Sequence, residues 1–339
     1  MRLGEIGEEG LIKRWARGLR LSAGVVRGVG DDAAVLCAPE GELLLFTTDM
    51  LVEGVHFTPA LVPYRDLGYK ALAVNVSDIA AMGGTPRWAV VSLGLPPGAA
   101  VEDLDAFYAG LSEAAEAFGV SIVGGDTVRS PRDLVVNVAL LGGAAPDRVL
   151  YRSGARPGDA VFVTGSIGAA AAGLFLLQHP VPECPEEVQA VLVHAHRRPV
   201  PRVAAGSALA AGGAVTALAD LSDGLATDLA RICAASGTGA LVRARDLPVS
   251  PEARLLARLA GTDPLEWALY GGEDYELVGT ARPEDLPRLR ATLAAIGVPL
   301  AAVGEVRPRE AGLYLRDETG RERPLSPGGY QHFPGNEAR

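Results

Sequence analysis

Six times along this chain an apolar segment runs out into an acidic turn: at Asp31 and Asp32, Asp49, Asp78, Asp126, Asp220 and Asp223, and Glu273 and Asp274. Most of these acids stand beside Gly, Ser or Thr. A fold that gathers such segment ends at one mouth gathers the carboxylates with them. They then repel each other, and any anion, unless divalent cations lie between them. Hard cations of the Mg²⁺ kind take oxygen ligands and bridge a few carboxylates to substrate phosphates. The pattern predicts a magnesium-dependent enzyme that handles ATP and a second phosphate compound.

The length of 339 residues favours two domains, and 48% hydrophobic with 21% charged residues describes a globular chain with ample core. A net charge of −10 argues against broad nucleic-acid or anionic-membrane binding. An acidic protein that binds phosphates must draw local positive charge from metals, arginines or backbone N–H groups. Lysine is rare, with only Lys13 and Lys70. The three cysteines, Cys37, Cys184 and Cys233, are far apart and form no C-x-x-C pair, so neither a disulfide framework nor a zinc site is expected. The start, MRLGEIGEEGLIKRW, lacks an apolar signal region, and no run reaches the roughly 18 apolar residues of a membrane span. The expected location is the cytoplasm.

Periodicity predicts mixed α/β structure in both halves. A short helix is expected over 4–21, a buried strand over 42–48, and an Ala-rich buried helix over 66–82 ended by Gly83-Gly84. The segment WAVVSLGLP reads as a strand, 101–118 as an amphipathic helix, and SIVGG and LVVNVALLGG as further strands. Composition turns to Gly, Pro and Arg over 142–158, which places a boundary there: an N-terminal domain over 1–145 and a C-terminal one over 146–339. The second half opens with strand, Gly turn and helix in DAVFVTGSIGAAAAGLFLL. A Pro-rich connector leads to a small-residue helix, then TALADLSD as a strand and GLATDLARICAAS as a helix.

Neither a P-loop nor a protein-kinase catalytic loop is present, so metals must hold most of a nucleotide's phosphate charge. Taken singly, several acids have simple explanations: a polar turn at Asp31-Asp32, a helix cap at Asp49 or Asp223. Thr47, Thr48 and Asp49 nevertheless offer three successive oxygen donors at the end of one strand. Asp78 has no such simple explanation. It lies in a helix apolar almost all round, with Asn75 one turn earlier, and a buried carboxylate demands a cation or dense hydrogen bonding. The turn Gly165-Ser166-Ile167-Gly168 reads as an ordinary strand–helix turn, since it lacks the full dinucleotide fingerprint. His194 and His196 are expected to face solvent, and Met82 to be core.

In order, the segments GDDAAV, TTDMLVEGVHF, KALAVNVSDIAAMGGTP, VGGDT, YRSGARPGD, DLSDGL and YGGEDYEL resemble the thiamine-monophosphate kinases. That family belongs to the aminoimidazole ribonucleotide synthetase-like superfamily, and the resemblance runs along essentially the whole chain. It implies a two-domain α/β fold with mixed sheets, and a homodimer in which the N-terminal domains pair their sheets. It implies ATP-dependent conversion of thiamine monophosphate to thiamine diphosphate with several Mg²⁺ ions. By motif, Asp32, Thr47, Thr48, Asp49, Asp78, Asp126, Asp220 and Asp223 match the magnesium shell, with Asp78, Asp126 and Asp223 central to catalysis. Tyr108, Gly125, Asp126, Arg152 and Ser222 match nucleotide contacts. His56 and Glu273 match thiamine-phosphate contacts, and Tyr330 stands where the family pattern has Trp. The rival readings are an ATP-dependent synthetase acting on a purine precursor or selenide, and a non-catalytic metal-binding dimeric scaffold. Cys37 lacks the setting of a selenide enzyme's reactive cysteine, and a scaffold gains nothing from so many uncompensated carboxylates.

Overall fold

The computed structural model describes residues 25–27, 31–32, 34–37, 41–330 and 332. The helix expected over 4–21 lies outside them. The first of two sheets has strands β1 (Val25–Arg27), β2 (Ala34–Cys37), β3 (Leu43–Val52), β4 (Thr85–Leu95), β5 (Ser121–Arg129) and β6 (Val135–Ala144), in the order β1-β2-β3-β6-β4-β5. Only β4 and β5 run parallel. A parallel pair needs a crossover, and helix α2 (Val101–Phe118) supplies it.

Helix α1 (Tyr64–Ala81) explains its own composition. It is apolar nearly all round because it is covered nearly all round: by the first sheet, by α2, and by the second half of the chain. Gly68 and Gly110 let α1 and α2 approach closely. A Cβ on Gly68 would overlap the Phe107 carbonyl, and one on Gly110 the Arg65 carbonyl. These helices cover one face of the sheet. The other face exposes Phe46, Met50, Trp88 and Val90, and the edge strand β5 exposes Val123 and Val128.

The second sheet comprises β7 (Ala160–Thr164), β8 (Val215–Asp220), β9 (Thr238–Arg243), β10 (Leu277–Ala281), β11 (Leu300–Pro308), β12 (Leu313–Arg316) and β13 (Glu322–Pro324). Its order is β13-β12-β9-β11-β7-β10-β8, antiparallel except between β9 and β12. Along β7 the side chains alternate between two cores: Val161 and Val163 join one, Phe162 the other. Helices therefore cover both faces. On the first core lie α3 (Ala169–Gln178), α4 (Glu186–Arg197), α6 (Leu225–Ser236), α7 (Pro251–Ala260) and α8 (Pro264–Tyr270). On the second lie α5 (Val203–Gly212) and α9 (Leu286–Ala294). The second core also takes in Ala81 at the end of α1, which fastens the two halves together.

Helix α4 replaces part of the expected Pro-rich connector. Pro185 precedes it, Glu186 and Glu187 fill its first turn, and His194, His196 and Arg197 fill its last, all matching the helix dipole. Leu192 and His196 sit one turn apart on its inner face. His194 faces solvent as expected; His196 does not, being only 3% exposed.

Candidate active site

The end of α1, the end of β8 and the short segment before β2 converge. Carboxylate oxygens of Asp32, Asp78 and Asp220 all lie within 4.8 Å of one another. Each acid has a side-chain partner: the Thr47 hydroxyl donates to Asp78, the Ser77 hydroxyl to Asp220 at 2.7 Å, and the Arg152 guanidinium pairs with Asp32. Ser77 belongs to the first half and Asp220 to the second, so the cluster forms only when the halves dock. Burial, followed by the charges of Asp49, Asp220 and Asp32, pushes Asp78 well above the usual carboxylate range, against the Thr47 bond. Burial, Asp32 and Asp228 do the same to Asp220, and burial with Asp223 and Asp32 raises Asp49 to about 6.

Magnitudes decide what this arrangement requires. Two unit charges about 5 Å apart repel by about 3 kcal/mol at an effective dielectric near 20. Three such pairs approach the whole stability of a domain, about 5–15 kcal/mol. The trio cannot stay fully ionised on Arg152 alone, and a divalent cation resolves the conflict. The donors fit one: they are hard oxygens throughout, and Asp32 Oδ2 is buried without a hydrogen-bond partner.

The next loop is fixed to the first. Ser222 and Asp223 donate their backbone N–H groups to Asp228 Oδ2 at 3.1 and 3.0 Å, while Arg231 pairs with Asp223 at 2.5 Å and Asp228 at 2.7 Å. The segment 271–276 then lies along it: Glu273 N–H donates to Ser222 O at 2.8 Å, and Tyr275 N–H to Leu221 O at 2.9 Å. Glu273 takes φ 60° and Tyr275 φ 50°, left-handed conformations rare outside glycine. Asp274 turns the other way and accepts from the Gly168 and Ala170 N–H groups at 2.7 and 3.3 Å. The Gly165–Gly168 turn thus serves a carboxylate of this chain at the start of α3.

A second group gathers beside the acids. His56 and Glu273 are within electrostatic reach of each other, and the His56 ring lies 6.3 Å from Tyr330 and 4.9 Å from His332. Gly329 brings Tyr330 in: its N–H donates to Thr227 Oγ1 at 3.2 Å, and a Cβ there would overlap the Asp223 carbonyl. His56 Nδ1 accepts the Val52 N–H at 3.0 Å, which places the ring proton on Nε2. The buried Tyr275 hydroxyl senses Glu273 as well as Asp49, Asp220 and Asp223, so the two groups are neighbours.

Two of the expected shell residues stand elsewhere. Strand alternation puts Thr47 on the helix-covered face with Leu45 and Leu51, and Thr48 on the open face with Phe46 and Met50. Thr47, Thr48 and Asp49 therefore do not present their side chains together; the Thr48 hydroxyl donates to the Val138 carbonyl at 3.0 Å. Asp126 does not end an apolar run but sits mid-strand on the exposed edge strand, paired through Ser92 and Asn137 to Met50 on that same open face. Gly125 precedes it against the Val91 carbonyl, and Tyr108 is exposed on α2.

Lys70, His196, Ser77, Arg231 and Tyr275 were not singled out as site residues by the sequence. Two signals pointed to the first pair: one of two lysines placed inside an apolar helix, and a histidine one turn from an inward-facing leucine.

Sequence models of the AIR synthase related proteins match this chain twice, the N-terminal domain over residues 30–144 and the C-terminal domain over 156–315. The two halves, each with its own mixed sheet, correspond to these two domains. Within it, the thiamine-monophosphate kinase of Bacillus subtilis (strain 168) is 39% identical over 307 residues, 90% of this chain and 93% of the relative. That of Escherichia coli (strain K12) is 40% identical over 334 residues, 96% and 98%. The solved structure of AaThiL complexed with AMPPCP and TMP matches with a TM-score of 0.86 at 35% identity, covering 98% of this chain and 99% of its own. The chain belongs to the thiamine-monophosphate kinase family.

Proposed function

We propose that this protein transfers the γ-phosphoryl group of ATP to the phosphate of thiamine monophosphate, giving thiamine diphosphate. The observation that carries the reading is the juxtaposition of the rim of Asp32, Asp49, Asp78 and Asp220 with the group of His56, Glu273 and Tyr330. The relatives' names and the AMPPCP and TMP of the matching complex agree with it.

The attacking atom is a phosphate oxygen already ionised at neutral pH, so the protein needs no strong general base. Its task is to bring two polyanions together in line and hold them. Asp32, Thr47, Asp49, Asp78, Asp220 and Asp223 would hold magnesium ions, whose chemistry when bound would be neutralisation of phosphate charge. Arg152 gives a fixed positive charge to the nucleotide, and Ser222 lies on the loop that receives it. His56 offers its Nε2–H to the acceptor, Glu273 answers the cationic, amino-bearing thiamine, and Tyr330 stacks on a ring. Transfer is direct, so labelled ATP alone leaves no phosphoprotein; trapping one would contradict this.

The apolar open face of the first sheet supports a homodimer formed through it. Gly125, Asp126 and the Thr48 side chain lie on or at the edge of that face, and in this reading they act at the seam between protomers. The test incubates the protein with ATP, Mg²⁺ and thiamine monophosphate, free thiamine or an aminoimidazole precursor in turn. Consumption of thiamine monophosphate alone is expected; preference for either other acceptor overturns the assignment.

A further inference from the structure

Lys70 is 2% exposed, on a helix whose buried side chains are mostly apolar, in a chain whose basic residues are almost all arginine. Its Nζ lies 2.7 Å from Glu273 Oε1 and donates to the His196 carbonyl oxygen at 3.1 Å. His196 Nδ1 lies 3.1 Å from Glu273 Oε2. Each oxygen of Glu273 is thus held by a different element: α1 of the first half, and α4 of the second. The backbone of Glu273 is fixed in its left-handed conformation by the loop carrying Ser222.

Burying a lysine and a histidine against a partly exposed glutamate gains little stability over apolar residues of the same volume. What the arrangement gives is direction. An ammonium is compact and carries three donors, two of which are used here, whereas a guanidinium needs a wider planar slot. An ionised carboxylate has about four lone-pair positions, and Lys70 and His196 each approach a different oxygen, so positions remain on both. The side chain keeps 30% exposure, and His56 is within its electrostatic reach.

We propose that Lys70 and His196 are positioning residues that aim Glu273 at the amino-bearing, cationic part of thiamine monophosphate, and so tie docking of the two halves to acceptor binding. This rests on Glu273 contacting the acceptor, as read above. Neither residue needs to touch substrate; both act through the carboxylate.

The test is a double-mutant cycle on the full-length protein, read as Kd for thiamine monophosphate and for a non-hydrolysable ATP analogue by calorimetry, with thermal unfolding alongside. Lys70→Met weakens thiamine monophosphate about tenfold or more and leaves the ATP analogue within about threefold, a selectivity a purely structural role would not produce. In a Glu273→Gln background the same substitution changes thiamine monophosphate binding less than about twofold, because the group it steers is gone. Should Lys70→Met not fold, His196→Leu gives the same readout with a smaller loss, and the Lys70→Met/Glu273→Gln pair leaves no unpaired charge. If Glu273→Gln binds thiamine monophosphate as the wild type does, the assignment of Glu273 falls and the proposal with it. If Glu273→Gln weakens binding but Lys70→Met does not, or weakens it equally in both backgrounds, positioning alone is refuted.

Discussion

At the scale of single side chains, the protein spends its polar interactions on carboxylates it has buried. Asp78 is held against repulsion from three neighbouring acids, so a neutral amide there removes the conflict and, with it, a ligand of the proposed ion site. Asp78→Asn is expected to lower turnover by about a thousandfold or more while the metal-free protein melts no lower than the wild type; an ADP-release assay and thermal unfolding in chelator check both halves. Glu273 is the opposite case: burial pushes it up, but Lys70 and His196 outweigh that and bring it down to about 2. A carboxyl group depressed in the folded state contributes stability that is present above its ordinary 4.5 and lost as pH falls towards about 2. The stability gap between wild type and Glu273→Gln should therefore be widest above pH 5 and shrink towards pH 2; an unchanged gap in denaturant titrations at both ends would contradict it. Burial pushes the Cys233 thiol up to about 11. Peptide mapping after iodoacetamide treatment of the folded protein at pH 8 should find Cys233 unmodified.

At the scale of elements, α1 carries the most. It supplies the adjacent Ser77 and Asp78 and, two turns earlier, Lys70, and its placement depends on the close approach to α2 at Gly68 and Gly110. Gly68→Ala pushes a methyl into the Phe107 carbonyl and is expected to cost about 1–3 kcal/mol, seen as a lower urea midpoint with an unchanged slope. The helix was legible in the sequence because an Ala-rich, largely apolar stretch of that length, closed by two glycines, has few other solutions. Strand β3 was legible as a strand, yet its two faces were not weighed, and period-2 alternation separates Thr48 from Thr47 and Asp49. Helix α4 was hidden by the prolines around it, although Pro185 marks its start and its charge order fits its dipole. The inward His196 and the Lys70–Glu273 pair join residues 126 and 203 positions apart, and no local pattern reports such pairings.

At the scale of the whole molecule, the acid cluster exists only because two separately cored halves meet along α1, where Ser77 reaches Asp220. The open sheet face, with Phe46, Met50, Trp88 and Val90 exposed, is where a second copy is expected to sit. Trp88→Glu should convert the protein to a folded monomer in sedimentation and abolish phosphoryl transfer; a dimer of unchanged mass would place the interface elsewhere. Anomalous diffraction from crystals grown with Mn²⁺, a non-hydrolysable ATP analogue and thiamine monophosphate tests the central claim most directly. The account predicts metal peaks bonded to oxygens of Asp32, Asp78 and Asp220, between the two sets of phosphates. Phosphates bound there with no metal among these carboxylates, or metal held elsewhere, would contradict it.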